Sequence, residues 1–103
     1  MNINFEYDDV KASERLEIFA GKKLTKLFDK HDNIIRADVF FKTENTSSPD
    51  TGIICNIRLS IPGPRLFADS STGSFEASIV SSINELERQL EKRKDKLSRV
   101  KYN

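Results

Sequence analysis

The chain has 103 residues, with 17 Lys and Arg against 16 Asp and Glu, one His and one Cys. This is the length of one small domain, and a single cysteine excludes both an intramolecular disulfide and a thiolate metal cluster. The near-neutral total hides a sorted pattern: residues 85–91 carry a net −2 and residues 92–101 a net +5, so local sign is what bears on partners.

At the amino end, Ile3, Phe5 and Tyr7 alternate with Asn2, Asn4 and Glu6, the period-two pattern of a half-buried strand. This stretch lacks a basic region followed by an apolar one and does not read as a signal peptide. No apolar run approaches the length of a membrane span, so a cytoplasmic protein without membrane contact is expected. Ser13 then stands as an N-cap with Glu14 in the first turn, where the helix dipole favours a carboxylate. From there Leu16, Phe19, Ala20, Leu24 and Leu27 predict a helix to about Phe28–Lys30. The connection after it contains His31, read as a solvated loop residue near a helix end.

Ile34 to Lys42 predicts a second strand, with Ile35, Ala37, Val39 and Phe41 on one face. Thr43–Asp50 has loop composition throughout. Ile53, Cys55, Ile57, Leu59 and Ile61 alternate with Asn56, Arg58 and Ser60 as a third strand with one buried face. That pattern makes Cys55 an inert core thiol. Pro62-Gly63-Pro64 is a turn in which Gly63 is free to take positive φ. Leu66–Ser70 is a short fourth strand, and Ser74 caps the last helix.

That last helix is the most informative segment. Phe75, Ile79, Ile83, Leu86, Leu90 and Leu97 recur at steps of three, four or seven and form one apolar stripe. Arg88, Lys92, Lys96 and Arg99 gather on roughly the opposite side. Arg88, Lys92 and Lys96 repeat at i, i+4, a stacking of like charge that costs an isolated helix a few tenths of a kcal/mol per pair. Arg93 interrupts the apolar stripe, so the helix is expected to leave the domain body near it and project a basic end. Ser74–Arg99 would span on the order of 39 Å. On the first helix Lys22, Lys23, Lys26 and Lys30 cluster in the second half. Lys23 falls inside the apolar stripe, where its stem would lie on the core edge and its ammonium would snorkel to water.

The element order is β-α-β-β-β-α, an α+β two-layer sandwich: a four-stranded sheet with both helices on one face. The first strand is expected to pair parallel to a neighbour through a crossover. No motif with a catalytic mechanism occurs, so neither an enzyme nor a metal, a cofactor or a small-molecule substrate is expected. The cations point instead to phosphate recognition of structured RNA by shape, because aromatic residues interleaved for base stacking are lacking. A free double-stranded RNA-binding module and a helix-mediated protein adaptor are the alternatives. The former normally places a lysine cluster at the start of its last helix, where this chain has Ser74-Phe75-Glu76-Ala77-Ser78.

The run Leu86-Glu87-Arg88-Gln89-Leu90-Glu91-Lys92-Arg93-Lys94-Asp95-Lys96-Leu97 resembles the KLxRQLxKxKDKL signature of the ribosome hibernation factors. This family includes hibernation promoting factor and ribosome-associated inhibitor A (protein Y). Ile3 and Asn4 at the opening, Ser13-Glu14 with Leu16, and Lys23 with Lys26-Leu27 resemble it as well, so the likeness covers essentially the whole chain. The chain ends at Asn103, as in the short form, and the family fold has the order derived above. The resemblance implies a translation inhibitor that binds the small ribosomal subunit between head and body and occupies the mRNA and tRNA sites. It further implies rRNA contacts by Lys23, Lys26, Arg88, Lys92, Lys94 and Lys96. With Lys22, Arg93 and Arg99 these make up the candidate RNA-binding set, on a protein expected to be a monomer off the ribosome. Glu85, Val80 and Glu76 depart from the family pattern in place of a lysine, an aspartate and a tyrosine, and Glu85 weakens a mid-helix phosphate contact.

Overall fold

The computed structural model describes residues 2–63 and 65–101, the last seven by their backbone alone. Strand β1 (Asn2–Asp8) leads to helix α1 (Glu14–Lys30), strands β2 (Arg36–Thr43), β3 (Ile53–Ser60) and β4 (Leu66–Thr72), and helix α2 (Phe75–Lys101). The sheet order is β1-β2-β3-β4. The first strand pairs parallel to β2, and the other two pairings are antiparallel. The two-layer α+β architecture and the parallel first strand are those the sequence predicted.

Local chemistry starts each helix. The Ser13 side chain accepts from the Leu16 N–H at 3.3 Å, and Ser74 Oγ accepts from the Ala77 N–H at 3.2 Å. Each side chain satisfies one of the orphan donors of a first turn. Tyr7 ties the end of β1 to the head of α1, its hydroxyl donating to Glu17 Oε2 at 2.7 Å. Burial and that bond together hold the phenol above its ordinary pKa.

The core is one cluster between the helices and one sheet face. Leu16, Ala20, Leu24 and Leu27 of α1 meet Ala37, Val39, Phe41, Cys55, Ile57 and Leu59 of the sheet, and Ile79, Ile83, Leu86 and Leu90 of α2. Phe41 is fully buried at its centre, stacked with Tyr7 at 5.2 Å and Phe5 at 6.4 Å and edge-on to Phe75 at 5.3 Å. Ile35 corrects the expected second strand: it precedes β2 and is 61 % exposed. Its N–H bonds to the Ser60 carbonyl, but the ladder facing the core begins only at Ala37.

Polar contacts absent from the sequence reading seat α2 on the sheet. Ser78 Oγ donates to the Ile53 carbonyl at 2.5 Å and Ser82 Oγ to the Cys55 carbonyl at 2.8 Å. Both serines are fully buried. Four helical residues advance about 6 Å and two strand residues about 6.8 Å, so serines at i, i+4 match carbonyls at i, i+2. Thr72 and Ser70 complete the pair through their hydroxyls, at 2.7 and 2.9 Å. Further along, Gln89 Nε2 donates to the Phe67 carbonyl at 3.0 Å and Arg93 to the Pro62 carbonyl at 2.7 Å. The helix therefore runs back antiparallel to β4 and is held along it as far as the β3–β4 turn. Arg93 tethers the helix at that turn, and the helix continues past it to Lys101. The molecule measures 50 × 28 × 19 Å, and α2, about 40 Å long at 1.5 Å per residue, accounts for the long axis. Among the described residues no helix is long and apolar enough to cross a membrane.

Cys55 is fully buried, and desolvation, aided by the Asp69 charge, pushes its thiol up to about 12. Three outcomes follow from this packing. Ser82→Ala should lower the unfolding free energy by about 1 kcal/mol and Ser82→Val by ~1–3 kcal/mol through overpacking, measured by urea denaturation. Cys55 should react with a thiol reagent only on unfolding. Because its folded pKa is raised, its contribution is present below an unfolded value of about 8.5. That contribution is lost as pH rises toward 12, so Cys55→Ala should flatten the alkaline fall in stability.

Candidate nucleic-acid interface

The cations of α1 lie along its second half at steps of three and four. Lys22, Lys26 and Lys30 are exposed and Lys23 is half-buried. The Lys23 ammonium sits 5.1 Å over the Phe19 ring, a cation–π placement worth ~0.5–1 kcal/mol near water. Its stem covers the core edge and its charge stays outside, as snorkelling requires.

Facing them, α2 supplies Val80, Ile83, Asn84 and Glu87, and with Leu27 as apolar floor the two helices enclose a groove of about 150 Å³. Lys23, Lys26 and Lys30 form its cationic wall. Lys30 donates to Glu87 at 2.9 Å, and that bond and charge hold its amine above the ordinary lysine value. Lys30 also opens a second recess of about 240 Å³ with His31, Asp32, Asn33, Leu90, Arg93 and Lys94. The two recesses share Lys30, so a cationic band passes from the α1 lysines around the end of α1 to Lys94. Lys92 is exposed on the neighbouring face of α2, with its charge acting on Glu85.

The structure brings Lys23, Lys26 and Lys94 together through Lys30, a residue outside the set chosen from sequence. Arg88 is not among them. It lines a different recess, against the edge of β4, with Asp69, Glu76 and Glu85, and its guanidinium donates to Glu85 Oε1 at 2.7 Å. Hydrogen bonding from Gln89, opposed by partial desolvation and assisted by Arg88, holds the Glu85 carboxyl below the usual range. Glu76 is tied in turn to Arg15 of α1. The guanidinium of Arg93 rests on the Pro62 carbonyl. Lys96 and Arg99 fall on helical backbone, with side chains outside the described residues.

His31 corrects the reading of a solvated loop residue. It is the C-cap of α1, its N–H donating to the Leu27 carbonyl at 3.0 Å, and it is 7 % exposed. The next helix covers it: Leu90 and Arg93 line the same recess, and Glu91 Oε1 stands 3.4 Å from Nε2. Nothing in a DKHDN loop signals such a cover, because α2 arrives from sixty residues away in sequence.

Chemically, this surface offers positive charge on a shallow relief. Among the described residues no group of three or more His, Cys, Asp and Glu could hold a metal ion. The ion pairs to Glu85 and Glu87 are exposed, and such pairs are worth ~0–1 kcal/mol, so a phosphate can take over either cation. Glu85→Gln should therefore free Arg88 and strengthen retention on a heparin column, with Lys26→Glu eluting at lower salt than the wild type. Each shift should correspond to a severalfold change in affinity for this polyanion.

Residues 3–98 match the family described as sigma 54 modulation protein / S30EA ribosomal protein. A ribosomal subunit interface protein from Coxiella burnetii has the same fold, with a TM-score of 0.77 at 22% identity over 92% of this chain and 99% of that one. The Protein Y N-terminal domain of Thermus thermophilus superimposes with a TM-score of 0.72 at 19% identity, over 89% of this chain and 98% of that one. No curated protein sequence matches the chain.

Proposed function

The chain belongs to the sigma 54 modulation protein / S30EA ribosomal protein family, a family of ribosome-associated factors, and we propose that it is a cytoplasmic hibernation factor of the small ribosomal subunit. In this reading it binds near the decoding region, occupies the mRNA and tRNA sites and so blocks translation without catalysing a reaction. The observation that carries the reading is the cationic band formed by Lys23, Lys26, Lys30 and Lys94 across the ends of two helices. Exposed Lys22 stands beside it on α1, exposed Lys92 shares the face of Arg88 and Glu85, and Lys96 and Arg99 follow on the same helix. Groups so spaced on rigid elements suit phosphates of a folded RNA, whose shape rather than base sequence is recognised. Arg88 joins them only if a phosphate displaces Glu85.

The solved structure from Coxiella burnetii is described as a ribosomal subunit interface protein, which agrees with a site of action between subunits. Contact with phosphates releases counterions, so affinity falls with salt by roughly 0.7–0.9 log units per phosphate for each log unit of salt.

Co-sedimentation with purified small subunits at several salt concentrations tests the reading. Binding at low salt with a steep salt slope is expected. Lys26→Glu combined with Lys92→Glu should abolish it while circular dichroism and urea midpoint stay near those of the wild type. Absence of binding at low salt defeats the proposal. Equal affinity for bare duplex RNA would favour a free RNA-binding module, and salt-insensitive binding a protein adaptor.

A further inference from the structure

Arg93 stands apart from its neighbours in what it touches. The residue is half-buried, and its guanidinium donates to the Pro62 carbonyl at 2.7 Å. The next residue, Gly63, has φ +98, and a Cβ placed there would lie 2.5 Å from the nearer guanidinium nitrogen and 3.5 Å from the guanidinium carbon. The planar group thus packs against a glycine with no side chain to hold it off. A larger residue 63 would meet the guanidinium first and displace it from its place on the β3–β4 turn.

On the other flank of α2 the end of α1 makes its own contacts, Lys30 to Glu87 at 2.9 Å and His31 Nε2 to Glu91 Oε1 at 3.4 Å. Between residues 87 and 93 the helix is gripped from two sides, by α1 and by the turn. Lys92 and Lys94 are exposed on either side of Arg93, each displaced about 100° around the axis. With Arg93 fixed inward, the rotational setting of both lysines relative to the α1 lysines is fixed too.

From this geometry we infer that Arg93 is a positioning residue, which with Gly63 clips the basic end of α2 to the β3–β4 turn and acts on RNA affinity through Lys92 and Lys94 rather than by contact with phosphate. The inference rests on the ribosome-binding reading for its effect on affinity, but not for the clip itself. It replaces the expectation, drawn from charge alone, that Arg93 belongs to the contact set. A group that holds others in place lowers affinity when lost, without changing how many phosphates are neutralised.

Two measurements test it. The first compares the salt dependence of binding to small subunits for the wild type, Arg93→Gln, Gly63→Ala and Lys94→Gln. Lys94→Gln should reduce the slope by about one. Arg93→Gln and Gly63→Ala should each weaken binding severalfold at unchanged slope, and since Gly63→Ala also strains the backbone at φ +98, adding Arg93→Gln to it should weaken binding little further, as for partners in one contact. The second uses the free protein. Amide hydrogen exchange across residues 88–94 and at the turn should quicken severalfold in both variants, with the centre of α1 unaffected. Unchanged exchange in both variants overturns the inference, as does a slope reduced by Arg93→Gln as much as by Lys94→Gln. A wild-type chain that does not bind small subunits at low salt overturns the functional reading and Arg93's part in it, while exchange still decides on the clip.

Discussion

The seating of α2 along β4 is the constraint from which the rest of the structure follows. A helix about 40 Å long laid on a sheet whose strands have seven or eight residues could slide along its axis with little change in apolar area, because hydrophobic burial is non-directional. The hydroxyls of Ser78 and Ser82 remove that freedom. They donate to carbonyls two residues apart on β3, and a shift of one helical residue would leave buried hydroxyls without partners. Gln89 and Arg93 repeat the device further on. Apolar residues thus decide that the helix lies on the sheet, and polar ones decide where.

Axial position matters because charge is sorted along this helix. The acidic stretch falls over the body, where Glu87 and Glu91 meet the end of α1 and Glu85 meets Arg88. The basic stretch falls at and beyond the β3–β4 turn. Moved by a turn toward its start, the same helix would set Lys92 and Lys94 against the body, away from Lys30. The like-charge stack that would strain an isolated helix is offset in part by Glu85 of the same helix, which pairs with Arg88 and feels the charge of Lys92. Exposed carboxylates such as Glu85 and Glu87 hold their cations weakly, as the proposed exchange for phosphate requires.

Much of the fold was legible. The alternation of β1 and β3, the stripes of both helices, the caps at Ser13 and Ser74 and the positive φ at Gly63 are local signals, each set by the period or by one residue's chemistry. Ile35 misled because an isoleucine at the right parity looks like core when the strand in fact begins beyond it. Buried Ser78 and Ser82 were invisible because a serine in a helix reads as solvent-facing unless the acceptor across the interface is known. Of the interface, the lysines could be found by counting charges. That Arg88 belongs to the β4 side with Glu85, and that Lys30 joins two recesses, could not.

The sequence by itself determined the element order, the apolar faces that must meet and the sign of charge along the last helix. These depend on residue type and spacing within one element. Tertiary structure alone decided which cations share a surface, which are held by carboxylates and which serves as a tether. Those outcomes depend on the separation and rotation of elements distant in the chain: His31 covered by Leu90, Arg93 resting on Pro62. Charge acts over several ångströms and hydrogen bonds over about three, so neither is defined until packing has set the distance.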